Sequence, residues 1–446
     1  MAQDMNRHFT LSALLKFTFP TICMMIFTSL YTVVDGFFVS NYIGKTALAA
    51  VNLAWPIIMI LATVGLMTGT GGSALIAKTR GEGDDEQANR YFSMLVFFTI
   101  AVSLVLGALG QAAIVPAMQA FGADGPLLDS AVSYGRWLLG MLPFFALQFA
   151  FEVLFSTAGK PHYGFFVVVA GGVTNVVLDW LFICVLGWGI DGTAIATGLG
   201  QVVGGAIPLV YFARRHNSSF LRLRWTRPEW RPIGKACLNG CSELVSNIAM
   251  SLVTMLYNFQ LMAYIGEDGV AAYSVIGYTA MIFGAVFMGY AVGSSPLMSY
   301  QFGAGNHGEM RSILLKSLGL IGASSVAMFL AAQWLAAPLS AIFVSYDPEL
   351  LDFTVQAYKL YALAFLIMGL PIYLSALFTA LNNGVVSAVI AFMRTLVFEC
   401  GAVILLPLVW GINGIWLSVS VGELAAALLA VGFLVALRKR YGFVKK

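Results

Sequence analysis

From Leu11 onward the chain alternates between apolar stretches of twenty or more residues and short breaks rich in glycine, proline or charge. Twelve such stretches stand out, at about 14–40, 48–78, 91–117, 130–157, 163–187, 192–213, 237–264, 271–299, 312–344, 353–380, 386–409 and 412–437. Each is long enough to cross a hydrocarbon layer as a helix, and none shows the two-residue alternation of a barrel strand. In hydrocarbon, only helices and closed barrels satisfy every backbone N–H and C=O. The pattern therefore predicts an all-α polytopic membrane protein with twelve transmembrane helices. The apolar stretch 17–44 is too long for the core of a secretory signal and is expected to stay in place as the first span.

The two halves of the pattern are copies. Ile43-Gly44 recurs as Ile265-Gly266, Gly81-x-Gly83 as Gly303-x-Gly305, and Trp188-Gly189-Ile190-Asp191-Gly192 as Trp410-Gly411-Ile412-Asn413-Gly414, each 222 positions on. Between these, Leu128-Asp129 matches Leu351-Asp352 and Leu154-Phe155 matches Leu377-Phe378 at a spacing of 223. Agreement through loops as well as spans marks an internal repeat. Six spans per copy is an even number, so the copies enter and leave on the same side and are parallel, related by an axis along the membrane normal. This predicts two six-helix bundles around a central cleft. The expected division is a first bundle at 1–213, a basic linker at 214–236 and a second bundle at 237–446.

Cationic residues orient this frame. Arg214, Arg215, Arg222, Arg224, Arg227, Arg231 and Lys235 fall between spans six and seven, and Arg438, Lys439, Arg440, Lys445 and Lys446 fall in the tail. The loops 122–129, 187–192 and 345–352 contain neither Lys nor Arg. Both termini are accordingly expected on the cytoplasmic side of a bacterial inner membrane, with the basic linker read as a topology signal rather than a lipid-headgroup site.

Composition agrees: 59% of the 446 residues are hydrophobic and 10% charged, against roughly 25% charged in soluble chains. A net charge of +3 gives no reason to expect a nucleic-acid partner. The five cysteines lie in apolar segments without a metal-ligand spacing. No HExxH, GxSxG or Walker A sequence occurs, and His8, His162, His216 and His307 all fall in the N-terminal tail or between spans. A membrane-embedded enzyme is thus the weakest reading. No cofactor and no obligate protein partner is expected, and without a nucleotide site the energy for transport must come from an ion gradient or the substrate's own.

Acids inside spans carry the chemistry, because a charge at the bilayer centre costs about 2.5–3.5 kcal/mol on insertion scales. Six qualify: Asp35, Glu152, Asp179, Glu243, Glu399 and Glu423. The repeat sorts them. Asp35 maps to Tyr257, Asn175 to Val397, Asp179 to Gly401, Thr193 to Ile415, Thr197 to Val419 and Glu152 to Ser375, so this polar cluster belongs to the first half alone. Asn175 and Asp179 share a face of span five, and Thr193 and Thr197 a face of span six. Their oxygens suit a hard monovalent cation such as Na⁺ at Asn175, Asp179 and Thr197; alternatively, Asp179 takes up a proton. The plain structural reading is an interhelical hydrogen bond that only glues helices. Glu399 is expected to pair internally with Arg394, Glu423 to share a packing role with its repeat equivalent Gln201, and Glu243 to lie near the cytoplasmic interface. Arg136 and Lys359, repeat equivalents near outer span ends, are expected to snorkel.

The run Asn175-Val-Val-Leu-Asp179 followed by Gly187-Trp-Gly-Ile-Asp-Gly-Thr-Ala-Ile-Ala-Thr197 resembles the fifth and sixth helices of multidrug and toxic compound extrusion (MATE) transporters. The paired Gly81-Glu-Gly83 and Gly303-Ala-Gly305 loops and Asp35 within Tyr31-Thr-Val-Val-Asp35-Gly36 are similar as well. The likeness runs from about residue 10 to 438 and is closer to the MepA- and DinF-like bacterial branch than to the NorM type. It implies a secondary antiporter that exports lipophilic cationic compounds in exchange for H⁺ or Na⁺ by alternating access. It further implies a cation-coupling site at Asp35, Asn175, Asp179, Thr193 and Thr197, and drug handling at Glu152 with Gln148 one turn earlier. Two rivals share the architecture. Major facilitators carry a basic signature after span two, where this chain reads AKTRGEGDDEQANR (77–90). Lipid or lipid-linked-sugar flippases carry several intramembrane cations, where this chain carries mostly acids.

Overall fold

The computed structural model describes residues 8–214, 218–344 and 347–443, and among them every regular element is helical. Arg215, His216, Lys445 and Lys446, together with the first two residues of the 345–352 loop, lie outside the described residues. The first lobe comprises α1 (Leu11–Phe38), α2 (Lys45–Gly81), α3 (Asp85–Ala120), α4 (Gly125–Gly140), α5 (Leu142–Thr157), α6 (Pro161–Asp179) and α7 (Gly189–Ala213). The second comprises α8 (Trp230–Tyr264), α9 (Glu267–Gly303), α10 (His307–Val344), α11 (Pro348–Tyr361), α12 (Gly369–Ala380), α13 (Gly384–Phe392), α14 (Cys400–Trp410) and α15 (Ile412–Leu437). Among the described residues, eleven spans are long and apolar enough to cross a membrane, and α4 with α5, bent by 60°, makes a twelfth when counted as one broken span.

Two local results depart from the apolar pattern. Span four is broken at Met141, because Pro143 has no N–H to continue the ladder and crowds the turn before it. Its repeat equivalent, between α11 and α12, tightens into a 3₁₀ turn at Ala362–Leu366. Span seven starts early: α8 begins at Trp230, taking in the end of the basic linker. Glu243 therefore falls near the middle of α8 rather than close to its start.

The repeat is legible in the backbone. Gly44 and Gly266 both turn the chain with positive φ (111° and 87°), as do Gly189 and Gly411 (60° and 56°). The positive φ of Gly159 (68°) is matched 223 positions on by Asn382 (56°), one of the few side chains that tolerates that region. Gln111 donates through Nε2 to the Arg136 carbonyl at 2.6 Å, and its equivalent Gln333 to the Lys359 carbonyl at 2.9 Å. Arg136 and Lys359 are exposed, as snorkelling requires.

The lobes meet through the same symmetry. α2 packs on α8 as α9 packs on α1. A β-carbon on Gly71 would come within 2.7 Å of the Gly240 nitrogen, and one on Gly293 within 3.3 Å of the Thr18 Cα; Gly293 is the repeat equivalent of Gly71 and Thr18 that of Gly240. Likewise a β-carbon on Gly81 would overlap the Tyr300 carbonyl, and one on Gly303 the Lys78 carbonyl. Residue pairs exchanged in this way define a two-fold axis along the bundle. All these approaches fall in the halves of α1, α2, α8 and α9 nearest the two termini. At the other end, Gly36 on α1 and Gly277 and Gly284 on α9 face open space. The lobes are clasped at the terminal end and part toward the other, leaving the central cleft.

Because the clasp has no room for side chains, Gly81→Leu or Gly303→Leu should force the terminal ends apart. Spin labels at the exposed positions Glu86 and Gly308 are expected to give longer, broader distance distributions in either variant than in the parent. Unchanged distributions would show that the clasp is not glycine-dependent.

Candidate functional site

The site begins with the ends of α1 and α6. Asp35 lies in the last turn of α1, and Asp179 is the final residue of α6, where the helix widens into a π turn at Trp180–Val185. π turns shift helix register and recur at functional positions. α1 packs along α6, and the Asp35 and Asp179 carboxyl groups adjoin. Asn175, one turn before Asp179, donates through Nδ2 to the Asp179 carboxylate at 3.1 Å and to the Thr197 hydroxyl of α7 at 3.4 Å. Asp35 also lies beside Asn175. Thr193, one turn from Thr197, is fully buried in the same lobe, as is Asp179. The structure thus brings Asp35, Asn175, Asp179 and Thr197 together around one point; Thr193 is buried on the same face of α7 as Thr197.

Charge balance decides what this point can do. No ion pair among the described residues involves Asp35, Asp179 or Glu152. Two neighbouring carboxylates without a counter-charge repel one another in a low dielectric. Asp35 Oδ1, Asp179 Oδ1, Asn175 Oδ1 and Thr193 Oγ1 are all buried without a hydrogen-bond partner. Unpartnered acceptors facing inward, in a place with excess negative charge, fit a proton or a small hard cation and do not fit an anion.

A second polar group lies one step deeper. Gln148 Nε2 donates to Glu152 Oε1 at 3.2 Å along α5, and both side chains are buried. The Gln148 amide occupies the space that a side chain at Gly204 of α7 would fill. Tyr31 of α1 lies beside Gln148 of α5 and Gln201 of α7 and contacts Phe27, ring centroids 5.9 Å apart. Tyr31 therefore stands between the Glu152 group and Asp35.

Three members were missed at the level of sequence. Tyr31 precedes Asp35 by one turn and Gln201 follows Thr197 by one turn, so the helical period that linked Asn175 to Asp179 would have found both. Tyr134 of α4, fully buried beside Thr197, carried no such signal, because only tertiary packing brings it there.

In the second lobe the expected partner of Arg394 is corrected. Arg394 pairs with Glu423 of α15, donating through Nε and an Nη at 2.6–3.0 Å, and not with Glu399. Arg394 and Glu399 lie five residues apart in the π turn Met393–Glu399, yet it is Glu423 of the neighbouring helix that takes the guanidinium. Glu399 packs instead against Gly422, where a β-carbon would meet the Glu399 Cα at 3.0 Å. Glu423 consequently holds a counter-ion, whereas Gln201 at the equivalent position holds an uncharged polar contact.

Comparison with known proteins bears on the family and the fold. The MatE family model matches residues 20–181 and 244–401, which covers most of both lobes. The multidrug export protein MepA of Staphylococcus haemolyticus is 20% identical over 431 residues, spanning 96% of this chain and 94% of that protein. Among solved structures, a MATE protein in complex with MaL6 superposes with a TM-score of 0.90 at 22% identity, covering 96% of this chain and 97% of that one. A MOP superfamily transporter from Pyrococcus furiosus superposes with a TM-score of 0.89 at 23% identity, covering 98% and 97%.

Removing Asn175 should expose how much the acid cluster depends on it. Asn175→Ala leaves Asp179 and Thr197 without their shared donor, a loss of about 1–3 kcal/mol for buried groups. A lower thermal unfolding midpoint in detergent, partly restored by Asn175→Gln, is the expected result; an unchanged midpoint would mean that the amide holds nothing.

Proposed function

This chain belongs to the MatE family, and from that premise we propose that it is a multidrug efflux antiporter, exporting lipophilic cationic compounds in exchange for H⁺ or Na⁺. The observation that carries the proposal is the adjoining Asp35–Asp179 pair on two different helices, without a basic partner among the described residues. The names of the MepA relatives support the multidrug part of this reading. Nothing in the described polar clusters resembles catalytic machinery, and the protein is read as a transporter rather than an enzyme.

In this proposal the chain lies in the bacterial inner membrane with both termini cytoplasmic, in keeping with the excess of Lys and Arg on that side. The terminal-end clasp then closes the cytoplasmic face while the cleft opens outward. An incoming ion settles among Asp35, Asn175, Asp179 and Thr197, with Thr193 available beside them. It neutralises the carboxyl pair and lets α1 draw closer to α6. Asp35 and Tyr31 move with α1, so the contact from Tyr31 toward Gln148 and Glu152 changes as the ion binds. Glu152, with Gln148 steering its carboxylate, is the counter-charge for a cationic substrate, and Tyr31 and Phe27 offer aromatic faces to it. Ion and drug thereby favour different arrangements of one helix, which is the differential affinity that exchange requires. A flippase for pyrophosphate-linked lipids would need free cations in the cleft; the intramembrane guanidinium of Arg394 is already committed to Glu423.

Dye efflux from proteoliposomes tests the assignment. With separate inward proton and sodium gradients, the parent protein should respond to one of them. Asp179→Asn should lose that gradient-driven efflux by on the order of tenfold or more, the effect of about 1.4 kcal/mol of lost ion binding. Export by Asp179→Asn at the parental rate under the same gradient would remove the coupling role. Glu152→Gln is expected to raise the KM for cationic dyes while leaving ion-dependent stabilisation of the purified protein intact. Equal KM values for parent and variant would separate Glu152 from the substrate.

A further inference from the structure

The linker between α7 and α8 does more than join the lobes. Its backbone is pinned to the start of α3. Arg222 N donates to Asn89 Oδ1 at 2.8 Å, Ser93 Oγ donates to the Arg222 carbonyl at 3.2 Å, and Arg224 N donates to Ser93 Oγ at 3.0 Å. Leu223 N adds a bond to the Phe212 carbonyl at 2.8 Å. Held in this way, the linker and α3 line an open-sided cavity of about 690 Å³.

The lining of the cavity is cationic on balance. It includes Arg90, Arg222, Arg224 and Arg227 against Asp85 and Glu86. Arg90 is spent on Glu229 at 2.7 Å, and Asp85 on Arg80 at 3.3 Å. Arg222, Arg224 and Arg227 form no ion pair among the described residues. Thr226, also in the lining, has a buried hydroxyl without a hydrogen-bond partner. Three uncommitted guanidinium groups and a spare hydroxyl around one cavity present the donors that a phosphate group accepts.

Position identifies the source of that phosphate. The cavity sits where two membrane spans end and begin, and its rim carries Trp225, 88% exposed, with its ring 5.5 Å from that of Phe97 on α3. Trp230 at the start of α8 is 73% exposed. Exposed indoles at the ends of spans lie at headgroup level in a bilayer. We infer that this cavity is a binding site for the headgroup of an anionic phospholipid, with Arg222, Arg224 and Arg227 on the phosphate and Trp225 against the glycerol and upper acyl region. The inference is independent of the ion and drug sites proposed above.

Quenching of tryptophan fluorescence by brominated lipid tests it on the full-length protein in nanodiscs of phosphatidylcholine. The contribution of Trp225 is the difference between the parent and Trp225→Phe. Brominated phosphatidylglycerol added as a minor component should quench that contribution, and brominated phosphatidylcholine at the same fraction should not. Preference for phosphatidylglycerol should fall about fivefold for each arginine neutralised, the factor equivalent to about 1 kcal/mol per basic residue at an anionic surface. The double variant Arg224→Gln/Arg227→Gln changes only exposed side chains, and Arg224→Lys/Arg227→Lys should retain most of the preference. Equal quenching by both lipids, or full preference in the Gln variant, would overturn the site. Abolition of the quenching by inorganic phosphate at physiological salt would assign the cavity to a soluble anion instead.

Discussion

Two carboxyl groups that adjoin inside a membrane protein, on two different helices, set the terms for the rest of this structure. Desolvation and mutual repulsion both act against Asp35 and Asp179 as bare anions. The described residues offer them amide and hydroxyl groups but no cation. Keeping α1 beside α6 therefore costs more when the pair is charged than when it is neutralised. The glycine-lined clasp carries that cost, because it holds α1 against α9 through backbone contact and does not depend on the ion site.

The repeat makes the asymmetry of the lobes informative. Both copies keep the left-handed glycines, the glutamine-to-carbonyl bonds and the interlobe approaches, so the scaffold demands those features twice. It does not demand Asp35 or Asp179, whose equivalents are Tyr257 and Gly401. In the second lobe, the corresponding region holds Glu423 already neutralised by Arg394. A buried pair of that kind is costly to break from one side, and its net charge does not change when a cation arrives. The acids of the first-lobe cluster thus have no basic partner among the described residues, whereas Glu423 of the second lobe has one.

Much of this was legible in the chain because it rests on local periods. Span lengths follow from bilayer thickness, the parallel repeat from a fixed spacing of identical loop residues, and the acid cluster from the absence of acids at equivalent positions. What stayed hidden depends on geometry that no period encodes. Pro143 broke span four inside a run that reads as continuously apolar. Glu399 was the nearer acid to Arg394 in sequence, yet tertiary packing delivered Glu423 of α15 to the guanidinium. Tyr134 entered the site from α4, a helix without any polar signal of its own there. The cavity beside the basic linker was not legible, because it is lined by residues of α3 and of the linker that lie far apart in the chain and are joined by bonds to Asn89 and Ser93.

How a site in one lobe can command an interface shared by both follows from the length of a single helix. α1 carries Thr18 and Thr21 against Gly289 and Gly293 of α9, and Asp35 against α6. Thr21 and Asp35 are fourteen residues apart, about 21 Å along an α-helix. Over that distance a helix moves as a lever rather than a chain of independent contacts. The one proline inside α1, Pro20, lies beside the interface contact and not beside the ion site. A missing backbone hydrogen bond at that point lowers the cost of bending there, while the segment that joins Tyr31 to Asp35 keeps its full ladder. In the proposed exchange, neutralising Asp35 acts at the far end of a stiff arm whose pivot is the lobe contact. On that proposal, a one-sided charge change reaches a symmetric interface through one helix, and no second ion site is required.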